Sequence, residues 1–191
     1  LWMVGISPAE LRAMPEVYRR VQAVKAMRLQ SAKLPTQESA ATPYLFQEIR
    51  QPESSYLLVP SVSSERRDFV PVGFLPPDVI ASNLVLTIPN ATLYHFAILN
   101  STLHNAWLRA VGGRLESRYR YSASIVYNNF PWPEPTEAQR VAIEAAAQSI
   151  LDARAKYPDA TLADLYDPLT MPTELRRAHQ ANDRAVDTAY G

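Results

Sequence analysis

The sequence predicts an α+β fold: a mixed helix and sheet body with a buried central helix, followed by an all-helical tail. Three observations predict it. Short runs of alternating or continuous apolar residues lie between Tyr56 and Phe130, a long apolar helical stretch spans Ala91–Val111, and everything after Pro135 carries only helical periodicity. The 191 residues hold 19 basic and 19 acidic side chains, and the zero balance conceals a split. Thirteen Lys or Arg stand against nine Asp or Glu up to Pro133, and six against ten beyond it. This mildly basic body with an acidic tail is not the composition of a protein that coats nucleic acid unselectively. With no cysteine and three scattered histidines, neither a disulfide framework nor a zinc cluster is expected, so the metal expectation is none. No apolar run reaches the roughly 20 residues of a membrane span, and the first residues lack the basic-then-apolar pattern of a signal peptide. A cytoplasmic protein without a membrane partner fits these counts.

Taken in order, Ser7-Pro8-Ala9-Glu10 is a capping box with proline at the first helical position, and the apolar spacing that follows predicts a helix to about Ser31, kinked or split at Pro15. Lys33 to Ser64 is loop-rich, with one strand candidate at Tyr56 to Val59. Asp68 to Leu75 reads as a strand that carries a proline and therefore sits at a sheet edge, and Asn83 to Pro89 as a strand buried on both faces. One helix is expected from Ala91 to Val111, capped by Asn90 and ended by Gly112-Gly113. Gly112 to Ser122 follows as a strand and Ile125 to Phe130 as another. Thr136 and Gln139 then form a second capping box for an alanine-rich helix to about Lys156, and Thr161–Tyr166 and Thr173–Tyr190 are further helices. The domain boundary falls at 1–135 and 136–191. His95 and His104 are expected to pack, and His179, set among charges, to be solvated.

The stretch "GGRLESRYRYS" carries charge at every second position. As one strand it would point Arg114, Glu116, Arg118 and Arg120 to one side and Leu115, Ser117, Tyr119 and Tyr121 to the other. One reading is a solvated face whose charges pair with each other. The other is base readout: arginine matches guanine's major-groove acceptors with two parallel bonds, and a carboxylate accepts from the exocyclic amine of cytosine. Glu116 and Arg118 would then read one C·G pair and Arg120 a neighbouring guanine, with Ser82 and Asn83 approaching the same groove. Arg66, Arg67, Arg114, Ser122 and Lys33 are the candidates for backbone phosphates, which position without specifying.

The segments "SERRDFVPVGFL", "PNATLYHFAILNSTLHNAWLRAVGGRLESRYRYSASIVYNNFPWP" and "LADLYDPLTMPTELRRAHQANDRAVDTAYG" resemble the C-terminal half of MmeI-like enzymes over essentially the whole chain. Those are bacterial adenine-specific DNA methyltransferases, some fused to a nuclease. The resemblance implies a target recognition domain to about Pro133, a helical C-terminal region, double-stranded DNA as partner, and base-reading roles at the positions of Glu116, Arg118 and Arg120. Many relatives resemble "GRLKSDYRYS", in which the signs at 116 and 118 are exchanged, as reading G·C in place of C·G would require.

It also implies S-adenosylmethionine as cofactor of the parent enzyme and a catalytic methyltransferase domain earlier in the same parent chain. The adenine-holding Asn-Pro-Pro-aromatic motif and a Gly-rich cofactor loop do not occur in these residues, and "FLPPD" reads as a turn. The chain is therefore expected to be a non-catalytic fragment that binds no cofactor itself. The rival function is a protein-interaction module that engages a partner subunit through its helical tail.

Overall fold

The computed structural model describes residues 2–191, which form two compact units dividing between Arg50 and Gln51. In the first unit Ser7 caps α1 (Pro8–Arg12), its Oγ accepting from the Glu10 amide at 3.2 Å while Glu10 Oε2 accepts from the Ser7 amide at 2.8 Å. Pro15 does split the expected helix and occupies the first turn of α2 (Pro15–Leu29), where its missing N–H costs nothing. A short α3 (Leu34–Glu38) follows. Arg28 is buried and binds the folded-back loop through the carbonyls of Ser39 (2.7 Å), Thr42 (3.1 Å) and Leu45 (2.8 Å).

The second unit is built around two antiparallel three-stranded sheets. β1 (Tyr56–Pro60) is the middle strand of the first, between β3 (Gly73–Leu75) and β4 (Val85–Pro89). The strand buried on both faces is thus β1, whose Tyr56 and Leu57 are wholly enclosed, whereas β4 is a half-buried edge strand. Of the stretch expected as a strand from Asp68, only Gly73–Leu75 joins the sheet, at its edge. Pro71 has no donor, and the Val70 amide goes to Asn105 Oδ1 at 3.0 Å, so a helix holds this segment rather than a strand.

The apolar helix is two helices, α4 (Leu93–Leu99) and α5 (Thr102–Val111). Short polar side chains divide them by competing for backbone groups: Asn100 Nδ2 donates to the Phe96 carbonyl at 2.8 Å, and Ser101 Oγ caps α5 by accepting from the His104 amide at 3.1 Å. Asp183 completes the start of α5, taking bonds from the Thr102 amide and hydroxyl at 2.7 Å each. The cap of α4 is Thr92, whose amide donates to His95 Nδ1 at 3.1 Å; Asn90 is not the cap and sits in a turn at φ 57°. Phe96, Ala97, Ile98 and Leu99 are at the centre of the core.

Residues 123–127 form one wide turn rather than a strand. The Asn128 amide reaches back to the Ala123 carbonyl at 2.9 Å, and Asn129 Nδ2 satisfies the carbonyls of Ser124 and Ile125 at 2.6 and 3.2 Å. Trp132 packs against Tyr127 and Phe130, with ring centroids 5.4 and 5.7 Å away.

The tail forms α6 (Glu137–Ala155), α7 (Leu162–Leu165) and α8 (Thr173–Tyr190). Ile143, Ala147, Ile150 and Ala153 of α6, together with Leu175, Ala178 and Val186 of α8, join the same core as α4, so residues 51–135 and the tail form one body. His179 is fully buried, contrary to the expectation of solvation. It lies one turn from Leu175 on the inward stripe of α8, stacks on Phe69 with centroids 4.1 Å apart, and shares a 2.7 Å hydrogen bond with the Tyr166 hydroxyl. Arg154 ties this corner together, donating to the Val72 carbonyl at 2.8 Å and from Nε to Tyr166 Oη at 2.9 Å. Among the described residues no helix is long and apolar enough to cross a membrane.

Candidate nucleic-acid interface

α5 ends at Gly112, where a side chain could not fit: a Cβ there would lie 2.5 Å from the Leu108 carbonyl oxygen and 2.7 Å from Leu108 Cδ1. The close approach that requires glycine is therefore to the protein's own preceding helix turn. The chain then forms a hairpin instead of the single strand expected from its alternation. β5 (Gly113–Leu115) and β6 (Arg118–Arg120) pair antiparallel across the two-residue turn Glu116-Ser117, in the register Gly113 to Arg120, Arg114 to Tyr119 and Leu115 to Arg118. Glu116 holds φ at 58°, a conformation that hairpin turns ordinarily assign to Gly, Asn or Asp. β2 (Val62–Ser63) flanks β6 on its other side.

This register redistributes the charged row, because directly paired residues share a face. Arg118, Arg120 and Leu115 are exposed on the face opposite Tyr119 and Tyr121. Tyr121 marks the inner face: it is buried, and its hydroxyl lies 2.8 Å from His104 Nε2 of α5. Arg114 is on that inner side too, contrary to the expectation of four charges in one row. Its guanidinium sits 3.9 Å over the Tyr119 ring and donates to the Ser117 carbonyl at 3.2 Å. Glu116 occupies the turn and accepts from Arg118 Nη2 at 2.6 Å, an exposed pair of the kind worth about 0–1 kcal/mol. Among the described residues Arg120 has no ion-pair partner.

Ser61 joins the two sheets. It donates from its amide (3.1 Å) and its hydroxyl (2.7 Å) to the Leu84 carbonyl, and its own carbonyl accepts from the Tyr121 amide at 2.8 Å. The exposed turn at Ser82 and Asn83, with Ser82 Oγ accepting from the Leu84 amide at 3.3 Å, is thereby brought beside the Arg120 end of the hairpin. Ser122 ends the hairpin half-buried, its carbonyl accepting from the Val126 amide at 3.0 Å. Arg66 lies in an exposed turn, its amide donating to Ser64 Oγ at 3.2 Å. Arg67 is half-buried, and the carbonyls of Arg67 and Asp68 each accept from Arg109 Nη2 at 3.1 Å. Lys33 is exposed in the first unit, at the start of α3. The second unit thus assembles nine of the ten sequence-derived candidates on or beside the hairpin sheet and its connecting turns.

The charge pattern of the hairpin did not single out Arg109. Its signal was available: Asn105 and Arg109 are polar at i and i+4 on one face of an otherwise largely apolar helix. Chemically, the outer face offers a carboxylate acceptor and two guanidiniums on a two-stranded ribbon, a shape that a DNA major groove about 12 Å wide admits.

Residues 1–134 match the family model of the MmeI target recognition domain, and residues 135–191 that of the MmeI C-terminal domain. The chain is 40% identical over 190 residues to DNA methyltransferase A of Bacillus subtilis (strain 168), covering all of this chain and 22% of that protein. It superposes with a TM-score of 0.92 and 55% identity on the type IIL restriction-modification enzyme MmeI solved in complex with DNA, covering all of this chain and 26% of that one. The chain therefore spans about a quarter of the length of these relatives. By sequence and by fold, it belongs to the MmeI family and carries that family's target recognition and C-terminal domains.

Proposed function

We propose that this chain supplies sequence-specific recognition of duplex DNA for an adenine-specific DNA methyltransferase of a restriction-modification system. In this reading the methyl transfer from S-adenosylmethionine is performed by a catalytic domain elsewhere in the same longer protein, in the cytoplasm. The observation that carries it is the outer face of the hairpin, where Arg118 and Arg120 are exposed side by side and Glu116 crowns the turn. Glu116 accepts from cytosine N4 while Arg118 donates to O6 and N7 of its paired guanine, and Arg120 takes an adjacent guanine. The 2.6 Å contact between Glu116 and Arg118 supports a shared base pair, because it keeps acceptor and donor next to each other before DNA arrives. Ser82 and Asn83 approach the same groove beside Arg120. Arg66, Arg67, Arg114, Ser122 and Lys33 take flanking phosphates, a role that Arg114 suits because it faces away from the outer row.

The test exchanges the signs. With this chain replacing the matching segment of the MmeI relative, Glu116→Lys combined with Arg118→Asp preserves the ion pair and reverses donor and acceptor. Mapping of methylated adenines is expected to show a site changed at one base pair, from C·G to G·C, with methylation retained. A site identical to that of the unsubstituted chimera would rule the assignment out.

A further inference from the structure

Arg109 belongs to none of the groups assigned above, yet it touches both parts of the candidate interface. From α5 its Nη2 donates to the carbonyls of Arg67 and Asp68, at 3.1 Å each, and so grips the turn that carries Arg66 and Arg67. Asn105, one turn earlier on the same helix face, holds the next residues by accepting from the Val70 amide at 3.0 Å. The Asp68 carboxylate is not Arg109's partner: it pairs with Arg176 of α8 at 3.0 Å. The Arg109 guanidinium also lies over the inner face of the hairpin, 5.9 Å from the Tyr119 ring centroid, on the ring that Arg114 covers at 3.9 Å. Tyr119 sits between Arg118 and Arg120 in sequence and faces the opposite way, so its placement sets the direction of both outward arginines.

We infer that Arg109 is a positioning residue for DNA readout, locking the Arg66-Arg67 turn and the recognition hairpin into one fixed relation. This rests on the hairpin being the base-reading element. A phosphate contact at the turn then fixes the register in which Arg118 and Arg120 meet base edges. A planar guanidinium suits the task, since its edge donates to carbonyls while its face or rim meets an aromatic ring; a lysine ammonium is a point charge that cannot do both.

The test uses the 191-residue chain and a duplex selected by it from a randomised library. The readout is the ratio of affinities for that duplex and for single-base mismatches at the hairpin-read positions. Arg109→Lys, which keeps the charge, and Tyr119→Leu are each expected to lower the ratio by about tenfold, with the double variant no worse than either, as for partners in one interaction. The salt dependence of binding is expected to stay unchanged. A ratio unaltered in both single variants overturns the inference, as does a salt slope reduced by about one, which would make Arg109 a phosphate contact. Arg118→Ala separates the two levels. If it loses the preference while the Arg109 and Tyr119 variants keep it, positioning alone fails; a chain that selects no preferred duplex removes the base-reading role and this one with it.

Discussion

Arg154→Ala is expected to lose about 3 kcal/mol of unfolding free energy, the cost of orphaning buried polar groups when a charged partner is removed. Arg154 has no carboxylate partner among the described residues; its charge is solvated by protein dipoles and rings instead. It binds the Val72 carbonyl at 2.8 Å, the Tyr166 hydroxyl at 2.9 Å from Nε, and Asn100 Oδ1 at 3.4 Å, with the rings of Phe96 and Tyr166 5.0 and 4.9 Å from its guanidinium carbon. Truncation removes a clamp between α6, α7 and the strand-entry segment before β3, and leaves the Val72 carbonyl without this donor. Denaturant unfolding should show a lower midpoint with an unchanged slope, and Arg154→Lys should recover only part of the loss, because one ammonium cannot span these acceptors. A midpoint unchanged in Arg154→Ala would mean that the corner is held by apolar packing alone.

Acidification from pH 6.5 to 5 is expected to destabilise the chain steeply. Burial pushes His104 down to about 4, and burial together with the nearby Arg154 charge pushes His179 down to about 3. Each ring has one hydroxyl partner, Tyr121 for His104 and Tyr166 for His179, while both Nδ1 atoms are buried without a partner. A doubly protonated ring would thus need a second acceptor in an apolar surround. Because both folded values lie below the unfolded value of about 6.5, the unfolded state binds protons first, and stability falls as pH drops through 6.5 toward the folded values. The slope for each histidine rises toward about 1.4 kcal/mol per pH unit as the unfolded ring becomes fully protonated near pH 5. Burial raises Asp183 from 3.8, which works in the opposite direction. Unfolding curves at pH 7, 6 and 5 check the slope, and His104→Gln should make it shallower, with His179 and the likewise lowered His95 supplying the rest; a flat profile over this interval contradicts the buried neutral rings.

Local rules made some of this fold legible and long-range pairing hid the rest. The helices that start at Ser7 and Thr136 form where capping side chains and periodicity predicted them, since both signals act within one turn of helix. The split at Asn100-Ser101 was masked by the apolar residues on both sides, although two adjacent short polar side chains were the cue. The burial of His179 was readable from the stripe Leu175, His179, Asn182 and Val186, but the charges around it drew attention instead.

The candidate interface had the subtlest signal. Strict alternation is compatible with one strand or with a hairpin, and Glu116-Ser117 lacks the glycine or asparagine that would have announced the turn. The outward placement of Arg118 and Arg120 survives either geometry because both lie on one strand, whereas Arg114, across the turn, changes face. The joining of Ser82 and Asn83 to the hairpin through Ser61 depends on pairings about 23 and 60 residues apart in sequence, which no local pattern encodes.

The measurement that bears most directly on base reading by the hairpin replaces guanine with 7-deazaguanine, one position at a time, in the duplex the chain prefers. The substitution removes only the N7 acceptor and leaves base pairing intact. Affinity is expected to drop at two guanines, with Arg118→Ala insensitive to the substitution at one of them and Arg120→Ala at the other. Uniform affinity at every substituted guanine, or the same two losses in both variants, would contradict the account.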